Sequence, residues 1–306
     1  MKELWVEKYR PSSVDGYVFI DNTQREQVES WIKAGNIPHL LFHGSSGTGK
    51  TTLAKILINA LDVDQYDVLY ANGSKEGRKI EWVDKLISFC QTMPFGKFKV
   101  VLIDEADYMN LHSVQPALRN LMEDFSDSVR FIMTCNYPNK IIEPIHSRCQ
   151  TLQIAKADHT EFTARVATIL VEEGIEFDLE TLDDYVKATY PDLRKCIQLV
   201  QQYSVSGKLT GAKEGSGGVG DWRLDVVHMF KTGKIRDARG LLCSQAHAED
   251  MGEMFRWMYD NVELFGKSVE QQDEAIKIIR QGCINATMVA DAEINLSATL
   301  IELSQI

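Results

Sequence analysis

The sequence predicts an α/β domain built on a parallel sheet, followed by two smaller helical domains. Two observations carry this. Short apolar segments that read as strands alternate with helical segments up to about residue 153. From about Ala155 the strand signals stop, and apolar residues recur only at three- and four-residue steps. Uniformly apolar strands separated by helices indicate a sheet covered on both faces.

The strands are read at Leu40–His43, Asp67–Ala71, Lys99–Asp104 and Arg130–Cys135, with a helix from about Lys50 to Leu61. Residues 1–153 form the sheet domain, and 154–207 a small helical domain. Asp158-His159-Thr160-Glu161 has capping-box spacing before a helix with Phe162, Val166 and Ile169 on one face. Pro191–Tyr203 reads as another helix, with Pro191 suited to its first turn. Residues 208–221 carry five glycines between Gly211 and Gly220 and read as a linker. Residues 222–306 are helical again. Their stripes are Met251, Met254, Phe255, Met258, Val262 and Phe265, then Ile276, Ile279 and Cys283, then Leu296, Leu300 and Leu303.

Length agrees with this division, because 306 residues exceed one compact core. Hydrophobic content of 44% and charged content of 25% are ordinary for a globular protein. No apolar run approaches the ~18 residues a membrane helix needs. Met1-Lys2-Glu3-Leu4-Trp5 lacks the apolar core of a signal peptide. Both absences predict a cytoplasmic chain with no membrane partner. The six cysteines form no C-x-x-C pair, which argues against a zinc module. A net charge of −11 argues against a chain that coats nucleic acid alone, but leaves room for a local basic surface.

The chemistry begins at Gly44-Ser45-Ser46-Gly47-Thr48-Gly49-Lys50-Thr51, which fits G-x-x-x-x-G-K-[ST] between a predicted strand and a predicted helix. In that context backbone N–H groups and the helix N-terminus cradle phosphates. Lys50 reaches the β- and γ-phosphates, and the Thr51 hydroxyl binds Mg²⁺. Asp104, at the end of a later strand, is placed to hold Mg²⁺, and Glu105 to polarise an attacking water. Asp104-Glu105-Ala106-Asp107 also spells the signature of DEAD-box helicases, but those need two sheet domains and this chain has one. After the next strand, in Thr134-Cys135-Asn136, Asn136 is a candidate to sense the γ-phosphate or orient the water.

Together these residues resemble the AAA+ superfamily of P-loop ATPases, and further motifs resemble its sliding-clamp loaders over roughly residues 1–203. Trp5-Val6-Glu7-Lys8-Tyr9-Arg10-Pro11 is similar to the N-terminal signature of that family. Gln115-Pro116-Ala117-Leu118-Arg119-Asn120-Leu121-Met122-Glu123 is similar to its helix after the Mg²⁺ motif. Ser147-Arg148-Cys149 and Pro191-Asp192-Leu193-Arg194 resemble its S-R-C and second sensor motifs. Compact size and the lack of a zinc module point to the large subunit of a T-even-type bacteriophage loader, with replication-factor small subunits next.

The resemblance implies the fold: an AAA+ sheet domain, a helical lid and a helical collar. It implies that Trp5, Tyr9, Arg10 and Pro11 lie over the adenine, and that Thr52 joins residues 44–51 around ATP. Arg148 becomes an arginine finger acting in trans, and Arg194 a γ-phosphate contact. Gln115 and Arg119 link a DNA-facing surface to the ATP site. Arg78, Lys79 and Ile80 contact DNA backbone, without sequence readout. The implied partners are a sliding clamp, primer–template DNA, and copies of itself with a different small subunit in a pentameric ring. A helicase loader or branch-migration motor would share residues 44–51 and 104–105 but not the S-R-C element or the collar. A non-hydrolysing scaffold subunit would not keep Lys50, Thr51, Asp104, Glu105 and Arg148 together.

Overall fold

The computed structural model describes residues 4–77, 79–154, 158–204, 207–211, 222–231, 234–244, 251–288 and 291–306. Five strands, β1 (Leu40–His43), β2 (Val68–Asn72), β3 (Lys99–Asp104), β4 (Val129–Cys135) and β5 (Gln150–Gln153), form one parallel sheet in the order β2-β3-β4-β1-β5. The helices among them are α1 (Trp5–Lys8), α2 (Asn22–Ala34), α3 (Lys50–Ala60), α4 (Glu81–Gln91), α5 (Val114–Asp124) and α6 (Glu143–His146). Then follow α7 (His159–Glu172), α8 (Leu179–Thr189), α9 (Leu193–Tyr203), α10 (Trp222–Lys231), α11 (Ile235–Ser244), α12 (Met251–Asp260), α13 (Val269–Asn285) and α14 (Ala292–Leu303).

The central strands are apolar because both of their faces are covered. Alternate residues point to opposite faces. Leu41, Val101, Ile103, Phe131 and Met133 pack with Val83 and Leu86 of α4 and Leu118, Leu121 and Met122 of α5. Leu40, Phe42, Val100, Leu102 and Ile132 pack with Val28 and Trp31 of α2 and Leu53 and Leu57 of α3. The expectation of uniformly buried strands fails at the margins. β2 is an edge strand and leaves Tyr70 54% exposed. β5, the other edge, went unread because only Leu152 of its four residues is buried.

The chain divides into two compact units. The first is Met1–Phe162 together with Pro191–Lys195, so the sheet unit includes a short segment from the middle of the helical region. Asp192 caps α9 by accepting from the Lys195 N–H at 3.0 Å. Pro191 therefore precedes the helix instead of standing in its first turn. Asp158 caps α7 through the N–H groups of Thr160 and Glu161 at 2.8 and 3.2 Å, as its spacing predicts.

The second unit is Thr163–Tyr190 and Cys196–Ile306. Met251, Met254, Phe255 and Met258 are buried, and so are Leu296, Leu300 and Leu303. The α13 stripe is out of phase with its expectation. Ala275, Ile279 and Gly282 face inward, and Cys283 is exposed. Small Gly282 lets Phe255 and Thr299 approach so closely that a Cβ there would clash with both. Lys208–Thr210, the expected start of the linker, is bound into this unit: the Leu209 N–H donates to Glu176 O at 2.8 Å and the Tyr185 hydroxyl to Thr210 O at 2.6 Å. Residues 212–221 lie outside the described residues.

Candidate nucleotide site

β1 lies between β4 and β5, and the chain leaves it into the glycine-rich turn that opens α3. The turn needs its glycines. Gly47 has φ +74° and Gly49 has φ +92°, a region L side chains rarely adopt. A Cβ on Gly47 would overlap the Asp192 carboxylate, and one on Gly49 would press on the Tyr17 ring at 3.0 Å. This glycine turn is a backbone nest of the kind suited to an anion.

One pocket is lined by Ser46, Gly47, Gly49, Lys50, Thr51, Thr52, Asp104, Glu105, Thr134, Cys135, Asn136 and Arg194. The cationic groups are Lys50 and Arg194, and the carboxylates Asp104 and Glu105. Such a set fits a polyphosphate with a hard cation. The Lys50 ammonium donates to Gly44 O at 3.0 Å, Ser45 O at 2.7 Å and Asn136 Oδ1 at 2.8 Å. Burial pushes its pKa below the usual lysine value, opposed by the negative charges of Asp104 and Asp107. The Thr51 hydroxyl donates to Asp104 Oδ1 at 2.9 Å, and the Thr134 hydroxyl donates to the same oxygen. A divalent cation here would take one carboxylate and one hydroxyl from the chain and draw its other oxygens from phosphate and water. Beside them, burial and Asp107 push the Cys135 thiol up to about 12, so it is a neutral lining group.

Several side chains beside the candidate site were given no role by the sequence reading. Asp107 is buried and accepts from the N–H groups of Asn136 and Tyr137 at 3.3 and 3.2 Å, fixing the turn that carries the candidate sensor. The Tyr17 hydroxyl reaches Thr48 O at 3.5 Å. Asp192 meets Gly47. The fourth letter of the Asp104–Asp107 run was a usable signal for Asp107. Asp192 stands beside Arg194 in the second sensor motif, which was a usable signal for it, whereas Tyr17 had none, because only the fold brings it to the turn.

Other candidates stand outside the lining. Trp5 is buried, Arg10 pairs with Glu7, and Pro11 is half-buried, but none of Trp5, Tyr9, Arg10 and Pro11 lines this pocket. Gly44, Ser45 and Thr48 complete the turn without lining it. Arg148 is turned elsewhere. It pairs with Glu123 and donates to Pro144 O at 2.6 Å, and its Nε has no partner among the described residues. Gln115 is fully buried. It donates to Met109 O at 3.2 Å and Lys140 O at 2.9 Å, and accepts from the Ile142 N–H at 2.9 Å. Arg119 bonds its neighbour Asn120. Lys79 and Ile80 are exposed just before α4, and Arg78 lies outside the described residues. Their loop is tied inward where the Asn110 N–H donates to Gly77 O at 3.0 Å.

Residues 40–156 match the model of the ATPase family associated with various cellular activities (AAA). Sheet order, glycine turn and carboxylate pair together define an AAA-type P-loop ATPase. The fold is similar to the Thermotoga maritima RuvB Holliday junction branch migration motor, with TM-score 0.55 at 19% identity over 66% of this chain and 69% of that one. At that identity the likeness is one of fold.

The Replication factor C small subunit of Sulfurisphaera tokodaii is 42% identical over 212 residues, 68% of this chain and 64% of that protein. Replication factor C small subunit 1 of Pyrobaculum islandicum is 31% identical over 100% of this chain and 96% of its own length. The chain belongs to the replication factor C small-subunit family. The Sulfurisphaera tokodaii and Aeropyrum pernix relatives match over 64% and 65% of their own length, so that similarity spans just under two thirds of those proteins. These relatives bear out the resemblance to replication-factor small subunits and lend none to the T-even-type bacteriophage subunit.

Proposed function

We propose that this chain is the ATP-hydrolysing subunit of a sliding-clamp loader, which opens the polymerase processivity clamp and sets it on primer–template DNA. The observation that carries this is the split between the two arginines. Arg194 lines the chain's own phosphate pocket, whereas Arg148 does not and sits on a separate segment held by Glu123. An arginine directed away from its own site suits a ring in which each site is completed by a neighbour.

In this reading Lys50 holds the β- and γ-phosphates, and Thr51 and Asp104 hold Mg²⁺, which would neutralise phosphate charge. Glu105 activates the water, Asn136 orients it, and Arg148 stabilises the leaving charge on the adjacent subunit. Trp5, Tyr9, Arg10 and Pro11 border the base. ATP must favour the assembled spiral over the relaxed ring, since equal affinity for both would shift nothing. Lys79 and Ile80 lead into α4 and suit contact with DNA backbone. The ring is read as pentameric, with copies of this chain and a different small subunit. The RuvB likeness of fold supports no second reading, because it lies under the identity at which function follows.

One surface fits a protein partner such as the clamp. Met93 and Phe95 are 87% and 79% exposed, beside Tyr66 with ring centroids 5.9 Å apart. Two buried charges hold their loop. Lys99 donates to Phe89 O at 2.8 Å and to Thr92, and Asp67 accepts from the N–H groups of Phe95 and Gly96 at 3.0 and 2.7 Å. Exposed apolar side chains on a rigid loop suit an apolar pocket on a partner.

The test is steady-state ATP hydrolysis by the chain with its co-expressed partner and cognate clamp, with and without primer–template DNA. Stimulation by clamp and junction together, lost in Arg148→Ala, supports loading by shared sites. Hydrolysis indifferent to both would sink the clamp-loader reading and leave the ATPase. Phe95→Ala is expected to weaken clamp stimulation about 10-fold while leaving DNA-independent hydrolysis unchanged.

A further inference from the structure

We infer that Thr134 is a positioning residue for the reaction, setting the cation-binding carboxylate Asp104 and the backbone of Glu105 through one hydroxyl. This rests on the ATP-hydrolysing reading above. Thr134 is buried at 1% exposure near the C-terminal end of β4, one step past the registered pair Ile103–Met133, so it stands beside Asp104. Its hydroxyl donates to Asp104 Oδ1 and accepts the Glu105 N–H at 3.2 Å. A threonine that merely fills a sheet bonds a nearby carbonyl or water. This one spends its donor and an acceptor on the two acids of the site.

The geometry has two consequences. Thr51 and Thr134 both donate to Oδ1 of Asp104, and Oδ2 receives no hydrogen bond among the described residues. The carboxylate is thereby held in one rotation with its second oxygen free for a cation or its water. Glu105 has φ +56°, an uncommon conformation for a residue with a side chain. The bond from its N–H to Thr134 helps hold the backbone there, and the carboxylate follows the backbone. Groups that orient a ligating carboxylate are worth about 10- to 100-fold in metal affinity or activity.

The experiment uses the full chain as wild type, Thr134→Val, Thr134→Ala and Thr134→Ser. Binding of a non-hydrolysable ATP analogue is measured by calorimetry without divalent cation and then across a Mg²⁺ titration. The kcat and KM are measured with partner, clamp and junction DNA. Without Mg²⁺ all four should bind within about twofold of each other, because the hydroxyl touches no phosphate-holding group. The Val and Ala variants should need about 10-fold more Mg²⁺ for the same gain in affinity, and lose about 10-fold in kcat at saturating Mg²⁺ with KM little changed. Thr134→Ser, which keeps the hydroxyl, should recover both. A Mg²⁺ midpoint within twofold of wild type in Val or Ala overturns the inference, and so does a Ser variant that behaves like them. If Val fails to fold, Ala decides. If wild type hydrolyses nothing in the full assembly, the reading of function fails, while the Mg²⁺ titration still decides the role of Thr134.

Discussion

Two regions of the sheet unit hold the candidate site residues, and they are built differently. The phosphate region is self-contained. Lys50, Thr51, Asp104, Thr134 and Asn136 bond one another across α3, β3 and the end of β4. The region around α6 is not. Among the described residues its Arg148 side chain bonds Glu123, Pro144 and Ser147, and its buried Nε has no partner. Cations with no role in catalysis usually end as exposed ion pairs of small worth. A half-buried arginine with an unsatisfied nitrogen is more costly than that, and the cost makes sense if a second chain completes its bonding.

Arg148→Ala gives the largest expected effect and tests the difference directly. It should lower stimulated hydrolysis by about 10³-fold, the lower end for an arginine finger, while the variant binds ATP with unchanged affinity. An equal loss of affinity would mean that Arg148 serves its own site, and the comparison would collapse. Lys50→Met should cost about 10² to 10³ in hydrolysis and, unlike Arg148→Ala, weaken ATP binding by the chain itself. Co-assembly of the two variants sharpens the contrast. Each should be nearly inactive alone, but in the proposed ring a mixed assembly would join an intact pocket to an intact Arg148, so part of the activity should return. No recovery on mixing would sink shared sites.

The two regions also differ in how far the sequence discloses them. The phosphate turn is legible because its chemistry is local: Gly47, Gly49, Lys50 and Thr51 are contiguous, and the strand before them is apolar. Asp104 and Glu105 were legible from the end of an apolar strand. Thr134 and Asp107 were not assigned roles, since Thr134 matters only through the register of β4 against β3, and Asp107 only through a turn that folds back on Asn136. Cys283 was misread because a stripe at three- and four-residue steps fits two phases, and the choice of Gly282 inward depends on Phe255 and Thr299. The edge strand β5 has too few buried residues to announce itself. Local chemistry was readable, and contacts made across strands were not.

Gln115 is where the two regions meet. One amide binds Met109 O, beyond the carboxylate pair, and both Lys140 O and the Ile142 N–H, which lead into α6. Gln115→Ala leaves these three backbone groups to find other partners in a buried place. A loss of about 2–4 kcal/mol in stability is expected, read as a lower Tm and denaturation midpoint. Gln115→Glu has the same shape but only acceptors, so it should lose the two bonds to carbonyls and destabilise as well. A Tm unchanged in both variants would show that the two regions are held together by apolar packing alone.

The smallest effect belongs to Lys50 itself. Burial lowers its folded pKa below the 10.5 of the free side chain, against the pull of Asp104 and Asp107. At pH values under the folded pKa, native and unfolded chains both hold the proton, and the desolvation cost is constant. Between the folded pKa and 10.5 the unfolded chain binds the proton more readily, so raising pH favours the native state. Other lysines titrate in the same range, and the Lys50→Met variant cancels them. The difference in stability, wild type minus Lys50→Met, should therefore be level near neutral pH and climb as pH approaches 10.5. Thermal melts of both proteins over that range would measure it. A level or falling difference would mean that Gly44 O, Ser45 O and Asn136 hold the ammonium as well as water does. A rising one would mean that the pocket keeps the charge at a cost, which an anion in the glycine nest would then relieve.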